Sequence, residues 1–456
     1  MPMRSVVVIL YKKEKKGGNM FWEREVELLP REELEALQVK RLRETVARAL
    51  SSPHYGKVLG GKGISPEDIR SLEDLRRIPF TTKEDLRRGF PYGFLAVPKD
   101  EVVRLHASSG TTGTPTVVYH TRRDLEVWAD LVARCLYMVG MRKEDVFQNM
   151  MSYGLFTGGL GLHYGAERIG ALVIPSGAGN SRRQITLMRQ FGTTAIHIIP
   201  SYALKLLETF QEMGLDPKEM KLRMAFVGAE PHTEEVRRRI EEAYGIDAFN
   251  SYGLSEMNGP GVAFECPYKE GMHVWEDSYI LEVIDPETLE PVPDGEEGEL
   301  VLTTLRREAM PLLRYRTGDL AFVYPDPCPC GRTHRRISRI KGRTDDMFII
   351  KGVNVFPMQV EQVLMAFPEV GNNYVIILEK AGPMDEMVVR IEVREELLGG
   401  GIRKLEELKE RVKRALREEI LVTPKVEFVE PGGLPSGEGK AVRVIDRRSE
   451  VRGPRS

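Results

Sequence analysis

The sequence predicts an α/β protein with a large N-terminal domain, built on mostly parallel sheets with one antiparallel unit, and a small α+β domain at the C-terminal end. Three observations support this fold class. Between about residues 145 and 252, short apolar strands alternate with helices, as in parallel sheets. Residues 278–323 hold two apolar strands around a turn-rich segment, which favours an antiparallel hairpin. After Arg343 the strand and helix pattern restarts on a smaller scale.

The length of 456 residues is more than one ordinary core needs, so two or more domains are expected. Residues 1–19 contain a charged, glycine-containing stretch that fits no later element. They are interpreted as a disordered tail, with Met20 as an alternative start. The N-terminal domain is then predicted over residues 20–342 and the mobile C-terminal domain over 343–456.

The first helices are predicted from apolar stripes and caps. A stripe of apolar residues indicates a helix over residues 32–50. Ser65 followed by Pro66 predicts that a second helix begins there, and Thr82 caps a third. From Asp124 to Val139, apolar residues recur on one helical face.

The later elements are predicted from alternating strand and helix patterns. In the N-terminal domain, strands are expected over 171–175, 195–200, 224–228 and 248–252, and helices over 181–191, 202–213 and 233–244. In the C-terminal domain, strands are expected over 347–350, 374–378, 387–393 and 426–429, and helices over 357–367 and 402–420. Ligands of parallel sheets bind at the carboxyl ends of the strands. Residues 228–230 and 252–256 follow two such ends, so a nucleotide is expected there.

Composition excludes several classes of function. A formal net charge of −2 argues against a nucleic-acid partner, which usually needs a basic face. Four cysteines do not form a disulfide framework, and no secretory signal opens the chain. The longest early apolar run, Val6 to Leu10, is far short of a membrane span. The chain is therefore expected to be cytoplasmic and to act away from membranes, alone or as a homodimer.

A loop rich in glycine and hydroxyl groups is the strongest single motif. It lies between two apolar runs and comprises Ser108, Ser109, Gly110, Thr111, Thr112 and Gly113, followed by Thr114, Pro115 and Thr116. Glycines allow a tight turn whose backbone N–H groups can surround an anion, and the hydroxyls add donors. The loop predicts a polyphosphate site. An ordinary hydroxyl-rich hairpin is the alternative, whereas a Walker-type ATPase is excluded because no Gly-Lys-Ser/Thr follows.

Further stretches give the loop its context: 252–256 (YGLSE), 315–319 (YRTGD), 342–346 (GRTDD) and 437–440 (GEGK). With this loop, their order and spacing resemble the adenylate-forming enzymes, which include acyl-CoA synthetases and luciferases. The flanking residues 153–159, 228–231 and 350–357 resemble the phenylacetate–CoA ligase branch. The resemblance runs from about Met20 to about Arg448. One departure is Thr116, where many members of the superfamily have a lysine.

The resemblance implies roles for individual residues. Residues 108–113 would hold the β- and γ-phosphates of ATP, and Glu256 would bind Mg²⁺, which prefers oxygen ligands. Asp319 would accept hydrogen bonds from the ribose, and Arg343 would reach ribose or phosphate. The adenine slot would be formed by Gly228, Ala229, Glu230 and Tyr252, with Tyr252 stacked on the base.

Lys440 is implied to be the catalytic residue of the first half-reaction. The corresponding lysine of the family bridges the substrate carboxylate and the α-phosphate, a task that suits a flexible ammonium group. Composition alone would make it a solvated surface lysine. The family then rotates its C-terminal domain, so that coenzyme A can attack. Here the hinge is expected in residues 343–346.

The cysteines carry a second signal. Cys328 and Cys330 flank a proline in a proline-rich turn, and Cys266 lies upstream with His273 close behind it. Three thiols and one imidazole match a closed structural zinc site. His334 is an alternative fourth ligand, and reduced surface thiols are the alternative for the whole cluster.

The sequence therefore predicts an AMP-forming ligase that uses ATP, Mg²⁺ and coenzyme A, with phenylacetate as the acid. Tyr153, Phe156 and Gly253 are the candidates for the aryl pocket, although aromatic residues there could equally belong to the core. Another aryl acid, such as indoleacetate or benzoate, is the nearest alternative. A non-catalytic nucleotide-binding protein is a further alternative, against which the combination of Glu256, Asp319 and Lys440 argues.

Overall fold

A computed structural model describes residues 20–108, 115–381, 384–398, 401–434 and 442–448. The α-helices in chain order are Arg24–Glu27, Arg31–Ala49, Pro53–Gly60, Lys83–Arg88, Arg122–Met138, Thr157–Ile169, Ser181–Phe191, Pro200–Glu212, Glu234–Tyr244, Pro357–Met365, Glu395–Leu398 and Ile402–Ile420. Local caps explain where several begin. Thr82 accepts a hydrogen bond from the backbone N–H of Asp85 at 3.2 Å, and Thr121 accepts one from Asp124 at 3.1 Å.

An eight-stranded sheet forms the centre of the N-terminal domain. Its strands are β3 (Val146–Asn149), β4 (Leu172–Ile174), β5 (Ala195–Ile198), β6 (Met224–Gly228), β7 (Asp247–Tyr252), β8 (Ala263–Glu265), β9 (Met272–Val274) and β13 (Arg336–Ile337). The first five are parallel in the spatial order β4-β3-β5-β6-β7, and β8, β9 and β13 continue the sheet with antiparallel pairing. Strands β5 and β6 are buried along their whole length, as expected for a sheet covered on both faces.

Two smaller antiparallel units complete this domain. A hairpin pairs β1 (Arg104–Ala107) with β2 (Val117–His120), on either side of the glycine-rich loop. A four-stranded sheet has the order β10-β11-β12-β14, formed by Tyr279–Ile284, Gly298–Thr304, Tyr315–Ala321 and Gly342–Arg343. The predicted combination of parallel sheet and antiparallel unit is therefore confirmed.

The C-terminal domain is a small α+β unit. A two-stranded sheet pairs β15 (Phe348–Ile350) with β16 (Val353–Val355). A four-stranded mixed sheet has the order β19-β18-β17-β20, formed by Lys425–Val429, Met384–Val393, Val370–Ala381 and Val444–Asp446. Helix Ile402–Ile420 buries Leu408, Val412, Leu416 and Ile420, which lie four residues apart on one face.

One predicted helix is wrong. Ser65 and Pro66 begin only a single 3₁₀ turn, Pro66–Asp68. The Asp68 carboxylate accepts a hydrogen bond from the backbone N–H of Ser65 at 2.8 Å, and the chain is already extended at Ile69. The predicted cap therefore forms, but the helix does not continue because no apolar stripe follows it. The sequence patterns also did not predict strand β3 or helix Thr157–Ile169.

The two domains are joined by a short turn. Arg343 still pairs with Asp319 in the N-terminal sheet, and the next strand, β15, begins at Phe348 in the C-terminal domain. Arg343 thus pairs within the N-terminal sheet, and the domain boundary near residues 342–345 stays a prediction. Within the described ranges, no helix has both the length and the apolar character that a membrane span requires.

Candidate active site

A cavity of about 1200 Å³ lies between the two domains. Its N-terminal wall is formed by the carboxyl ends of the parallel strands and by the antiparallel sheet, and its other wall by the C-terminal domain. The parallel strands end at this wall, so side chains distant in sequence meet there. Of the residues predicted from sequence, the cavity is lined by Phe156, Ala229, Glu230, Tyr252, Gly253, Glu256, Asp319 and Arg343.

Asp319 is held between two donors at the cavity wall. The hydroxyl of Tyr252 donates to Oδ2 of Asp319 at 2.7 Å, and Nη1 of Arg343 lies 2.5 Å from Oδ1. Burial raises the pKa of Asp319 above its ordinary value, although Arg343 opposes the rise. Burial and the neighbouring carboxylate raise the pKa of Tyr252, so its hydroxyl remains a donor. The carboxylate thus faces the cavity in a fixed orientation.

Glu256 lies on the same wall, in the 3₁₀ turn Ser255–Met257. Its Oε1 accepts a hydrogen bond from the hydroxyl of Thr116 at 3.1 Å, and its backbone carbonyl accepts one from Arg307. The Thr116 hydroxyl also lies 2.9 Å from Oγ of Ser108, and this oxygen accepts a hydrogen bond from the backbone N–H of Thr116 at 3.1 Å. The residue at which this chain departs from the superfamily pattern therefore connects the glycine-rich loop to Glu256.

The segment 228–230 follows β6 at the cavity edge. Gly228 packs so closely on β7 that a Cβ atom would lie 2.5 Å from the carbonyl oxygen of Ser251. Ala229 has a φ of +67°, a left-handed conformation that costs energy for any residue other than glycine. Glu230 accepts a hydrogen bond at 2.6 Å from the backbone N–H of Ser201, at the start of helix Pro200–Glu212. Ala229 and Glu230 line the cavity, whereas Gly228 lies behind them.

The three candidates for the aryl pocket differ in whether they line the cavity. Phe156 and Gly253 line the cavity. Gly253 has no room for a side chain, because a Cβ atom would lie 2.6 Å from Cα of Gly259. Tyr153 is not among the residues that line this cavity, and its hydroxyl lies 3.0 Å from Nδ2 of Asn149 and 3.1 Å from Nδ1 of His163, so its role in the aryl pocket stays a prediction. Burial raises the pKa of Tyr153 to about 12.

Some predicted site residues lie outside the described residues. They are Ser109, Gly110, Thr111, Thr112 and Gly113 of the loop, and Lys440. Strands β1 and β2 flank the loop in sequence, and Lys440 precedes β20. Val444, the first residue of β20, and the preceding Arg443 line the cavity.

A second cluster brings together Cys266, His273, Cys328 and Cys330. All four side chains are buried, and their ligand atoms lie within 4.8 Å of one another. The sulfur atoms of Cys266 and Cys328 are 3.6 Å apart, and Sγ of Cys330 lies 3.2 Å from Nε2 of His273. A tetrahedral zinc ion with Zn–S distances of about 2.3 Å would hold sulfur atoms about 3.8 Å apart. The donor set therefore has the spacing and chemistry of a structural zinc site.

The structure distinguishes between the two candidate histidines. Nδ1 of His273 lies 3.0 Å from the carbonyl oxygen of His334, so its Nε2 is directed at the thiols. Both ring nitrogens of His334 are already used. Nδ1 accepts from the backbone N–H of Glu276 at 2.9 Å, and Nε2 donates to the carbonyl of Val26 at 3.1 Å. His334 thus orients His273 and is not positioned as a ligand.

Several cavity residues were missed by the sequence patterns. Lys83, at the start of a short helix, lines the cavity near Asp345. From the C-terminal domain, Glu361 enters the wall, and its Oε2 accepts from the hydroxyl of Tyr374 at 3.2 Å. No local signal in the sequence marks these residues, because only the approach of the two domains brings them to the site.

Comparison with known proteins agrees with this architecture. The family model for AMP-binding enzymes matches residues 36–305, and the model for the C-terminal domain of AMP-binding enzymes matches residues 352–448. A 2-hydroxyisobutyryl-CoA ligase in the postadenylation state, in complex with 2-HIB-AMP, aligns with a TM-score of 0.90 at 31% identity, over 96% of this chain and 94% of that one. The same ligase in the thioesterification state, with 2-HIB-AMP and CoA, aligns with a TM-score of 0.71 at 32% identity, over 94% and 93% of the two chains.

The sequence relatives are more specific. A phenylacetate–coenzyme A ligase of Thermus thermophilus is 48% identical over 444 residues, which are 94% of this chain and 100% of the relative. A phenylacetate–coenzyme A ligase of Escherichia coli is 43% identical over 423 residues, 92% of this chain and 96% of the relative. Identity at this level over nearly the whole length, on the same two-domain fold, means that the chain belongs to the phenylacetate–coenzyme A ligase family of AMP-binding enzymes.

Proposed function

We propose that this protein joins phenylacetate to coenzyme A at the expense of ATP, through an acyl-adenylate, and releases AMP and pyrophosphate. The observation that carries the proposal is the interdomain cavity in which Tyr252, Glu256, Asp319 and Arg343 meet. The relatives named as phenylacetate–coenzyme A ligases, at 43–48% identity, support phenylacetate as the acid.

The reaction needs two steps because a carboxylate is a poor acylating agent. Its oxygen first attacks the α-phosphorus of ATP, and pyrophosphate leaves. The thiol of coenzyme A then attacks the carbonyl carbon, and AMP leaves. In the first step, negative charge grows on the phosphate, so the site must provide oriented donors and cations. The glycine-rich loop and Lys440 are our candidates for that task.

The cavity wall supports assignments for the nucleoside. Asp319 is an acceptor with a fixed orientation, which suits two neighbouring ribose hydroxyls. Arg343 stays cationic beside it and can reach the ribose or the α-phosphate. The flat ring of Tyr252 and the strained backbone at Ala229 form a slot in which an adenine ring would stack.

Glu256 is our candidate for the magnesium ligand. Its Oε1 accepts a hydrogen bond from the neutral hydroxyl of Thr116, and its carboxylate lies on the wall that the phosphates would face. A hard divalent cation prefers such an oxygen ligand. When bound, Mg²⁺ would neutralise part of the charge on the triphosphate.

The cluster of Cys266, His273, Cys328 and Cys330 is our candidate for a structural zinc site. Such a closed site has no open coordination position and takes no part in the chemistry. It would tie the end of β8 and strand β9 to the turn before β13. Arg332 in that turn forms a fully buried ion pair with Glu27 at 2.7 Å, so the same site would also fix the N-terminal helix Arg24–Glu27.

The aryl ring would lie against the apolar part of the cavity lining, which includes Met150, Phe156, Ile199 and Gly253. A Cβ atom on Gly253 would collide with Gly259, so only glycine fits at this point of the cavity wall. A flat aromatic acid fits such a surface better than a branched aliphatic acid does.

Exchange of labelled pyrophosphate into ATP tests the proposal, because it reports adenylation without coenzyme A. Phenylacetate, indoleacetate, benzoate and a short aliphatic acid should be compared at equal concentrations. We expect the highest kcat/KM with phenylacetate. Faster exchange with another acid would mean that this acid, and not phenylacetate, is the substrate. ATP binding without exchange for any of the acids would contradict a catalytic function.

A further inference from the structure

An arginine of the N-terminal domain is hydrogen-bonded to the C-terminal domain. Arg239 lies in helix Glu234–Tyr244 and is half-buried. Its Nη2 donates to the carbonyl oxygens of Met365 at 2.7 Å and Phe367 at 3.1 Å. Its Nη1 lies 3.1 Å from Oδ1 of Asn372, and the carbonyls of Val370 and Gly371 are slightly farther away. All these acceptors belong to the C-terminal domain.

These contacts have a clear physical basis. Met365 is the last residue of helix Pro357–Met365, and the carbonyls of a last helical turn lack N–H partners within the helix. The C-terminal end of a helix is also the negative end of its dipole, where a cation is stabilised. Burial lowers the pKa of Arg239, so this guanidinium gives up hydration that the carbonyls of the other domain replace.

A second contact joins the same two helices, and here the side chain comes from the helix of the C-terminal domain. Oε1 of Glu361, in helix Pro357–Met365, accepts a hydrogen bond at 3.3 Å from the backbone N–H of Thr233, which caps helix Glu234–Tyr244. Each helix therefore supplies a side chain to an end of the other. The carboxylate meets the N–H groups of one helix, and the guanidinium meets the carbonyls of the other.

The domain arrangement in which these contacts form is the one that matches a postadenylation state. The alignment with 2-hydroxyisobutyryl-CoA ligase has a TM-score of 0.90 in that state and 0.71 in the thioesterification state, at 31% and 32% identity. Acceptors that lie on the C-terminal domain keep their distance from Arg239 only while the domains keep this orientation.

We propose that Arg239 is a positioning residue for adenylation, which holds the C-terminal domain in the orientation of the first half-reaction and must release it before the second. The inference rests on the proposed function, because it assumes that the two steps need different domain orientations. Arg239 is not among the residues that line the cavity, so it acts through the domain that carries Lys440.

The test compares the two half-reactions in Arg239→Ala. Charge-assisted hydrogen bonds that are lost from one orientation should lower phenylacetate-dependent pyrophosphate exchange by roughly tenfold or more. Formation of the thioester from synthetic phenylacetyl-adenylate and coenzyme A should proceed at the wild-type rate or faster. A purely structural role would lower both rates together, so the ratio of the two rates is the readout.

Arg238→Ala is the matched control. Arg238 is the exposed neighbour on the same helix, and it pairs within that helix with Glu235 and Glu242. It should leave both half-reactions unchanged. Arg239→Lys keeps the charge but has fewer donors, so its adenylation rate should fall between those of the wild type and the alanine variant. It also provides the comparison if Arg239→Ala does not fold.

Two results would overturn the inference. In the first, the wild type performs both half-reactions, but Arg239→Ala and Arg239→Lys keep the wild-type ratio of the two rates. The proposed role of Arg239 would then be wrong, while the proposed function would stand. In the second, the wild type performs neither half-reaction with phenylacetate or another aryl acid, so the proposed function fails first and the inference fails with it.

Discussion

The hydroxyl of Tyr252 donates to Oδ2 of Asp319 across 2.7 Å, and the two residues come from different sheets of the N-terminal domain. Tyr252 ends the parallel strand β7, and Asp319 lies in the antiparallel strand β12. The hydrogen bond therefore fixes the position of the proposed ribose acceptor relative to the proposed adenine slot.

Removing this hydroxyl should weaken ATP binding more than it slows chemistry. Tyr252→Phe keeps the ring but leaves Asp319 oriented by Arg343 alone. Loss of one hydrogen bond of about 1 kcal/mol should raise the KM for ATP roughly fivefold with little change in kcat. Pyrophosphate exchange at varied ATP concentration measures both constants. An unchanged KM would mean that the bond is not needed for nucleotide binding.

Lys440 should matter for only one of the two steps. Without an ammonium group between the substrate carboxylate and the α-phosphate, Lys440→Ala should slow pyrophosphate exchange by about 100-fold or more. Thioester formation from prepared acyl-adenylate should change much less. Lys425→Ala is a suitable control, since Lys425 is an exposed lysine of the same domain, paired with Glu427 at 2.7 Å. Near-normal exchange in Lys440→Ala would contradict the assignment.

If the zinc site is occupied, the purified protein should contain zinc, and loss of the metal should lower its thermal stability. The protein purified without chelator should carry about one zinc ion per chain, because three thiols and one imidazole complete a tetrahedral set. Cys328→Ser should lose the metal and lower Tm by roughly 5 °C or more, while the KM for ATP stays near the wild-type value. Metal analysis and thermal unfolding measure the two effects.

Cys135→Ser is the matched variant for this experiment. Cys135 is also buried, but its sulfur accepts a hydrogen bond from Nε1 of Trp275 at 3.2 Å and lies outside the cluster. It should retain its zinc. A metal-free wild type prepared under reducing conditions would rule out the site.

The elements that the sequence predicted best are those with local signals. Helices Ser181–Phe191 and Ile402–Ile420 begin and end at the predicted residues, because an amphipathic stripe runs through each of them. Ser181–Phe191 also has a local stop signal, since Gly192 follows it with a φ of +62°. The motif residues Tyr252, Glu256 and Asp319 were predicted from the resemblance to the adenylate-forming enzymes, and all three line one cavity.

The rest could not be predicted because it depends on tertiary contacts. Arg237, Arg238 and Arg239 are identical neighbours in sequence. Yet the first pairs with Glu241 at 2.8 Å, the second is exposed, and the third reaches the other domain. Likewise, the sequence named His273 as the fourth zinc ligand but left His334 as an alternative, and only their hydrogen-bond partners favour His273. Tyr153 is a third case, since a tyrosine in a loop can turn towards a cavity or away from it, and its role in the aryl pocket stays a prediction.

Acid should weaken the protein through Asp277. This residue is fully buried, and burial opposes its charge. Arg134, at 2.7 Å, outweighs that effect and holds the pKa of Asp277 well below its ordinary value. The pair therefore stabilises the fold at any pH above the ordinary aspartate value near 4, and the contribution is lost as pH falls below it. The free energy of unfolding should then decrease by up to about 1.4 kcal/mol per pH unit from this one group.

Denaturant unfolding between pH 7 and pH 3 measures this dependence. Asp277→Asn should be several kcal/mol less stable at pH 7, because it leaves Arg134 with a weaker partner, and the difference from the wild type should shrink towards pH 3. Asp294→Asn, at an exposed position, should follow the wild-type curve. Parallel curves for Asp277→Asn and the wild type would show that this carboxyl does not control acid stability.

The last prediction concerns the turn between the domains. Thr344 donates its backbone N–H to the carbonyl of Gly318 at 2.8 Å, and Asp346 donates to the carbonyl of Arg343 at 3.2 Å. The Asp345 carboxylate lies 2.8 Å from Nε of Arg343, which also holds Asp319. A hinge must adopt two sets of backbone dihedrals here, whereas proline fixes φ near roughly −65°.

Asp345→Pro and Asp346→Pro should therefore lock one domain orientation. At the residue that acts as the hinge, one half-reaction should survive and the other should fall by at least about tenfold. Asp345→Ala and Asp346→Ala are the controls, because they remove the carboxylates without restricting φ. They should keep the wild-type ratio of the two half-reaction rates. Their rates show how much of any effect in the proline variants comes from losing the contact with Arg343. Pyrophosphate exchange and thioester formation from acyl-adenylate report the two rates. Full overall turnover in both proline variants would place the hinge elsewhere, and so would the loss of both half-reactions in folded protein.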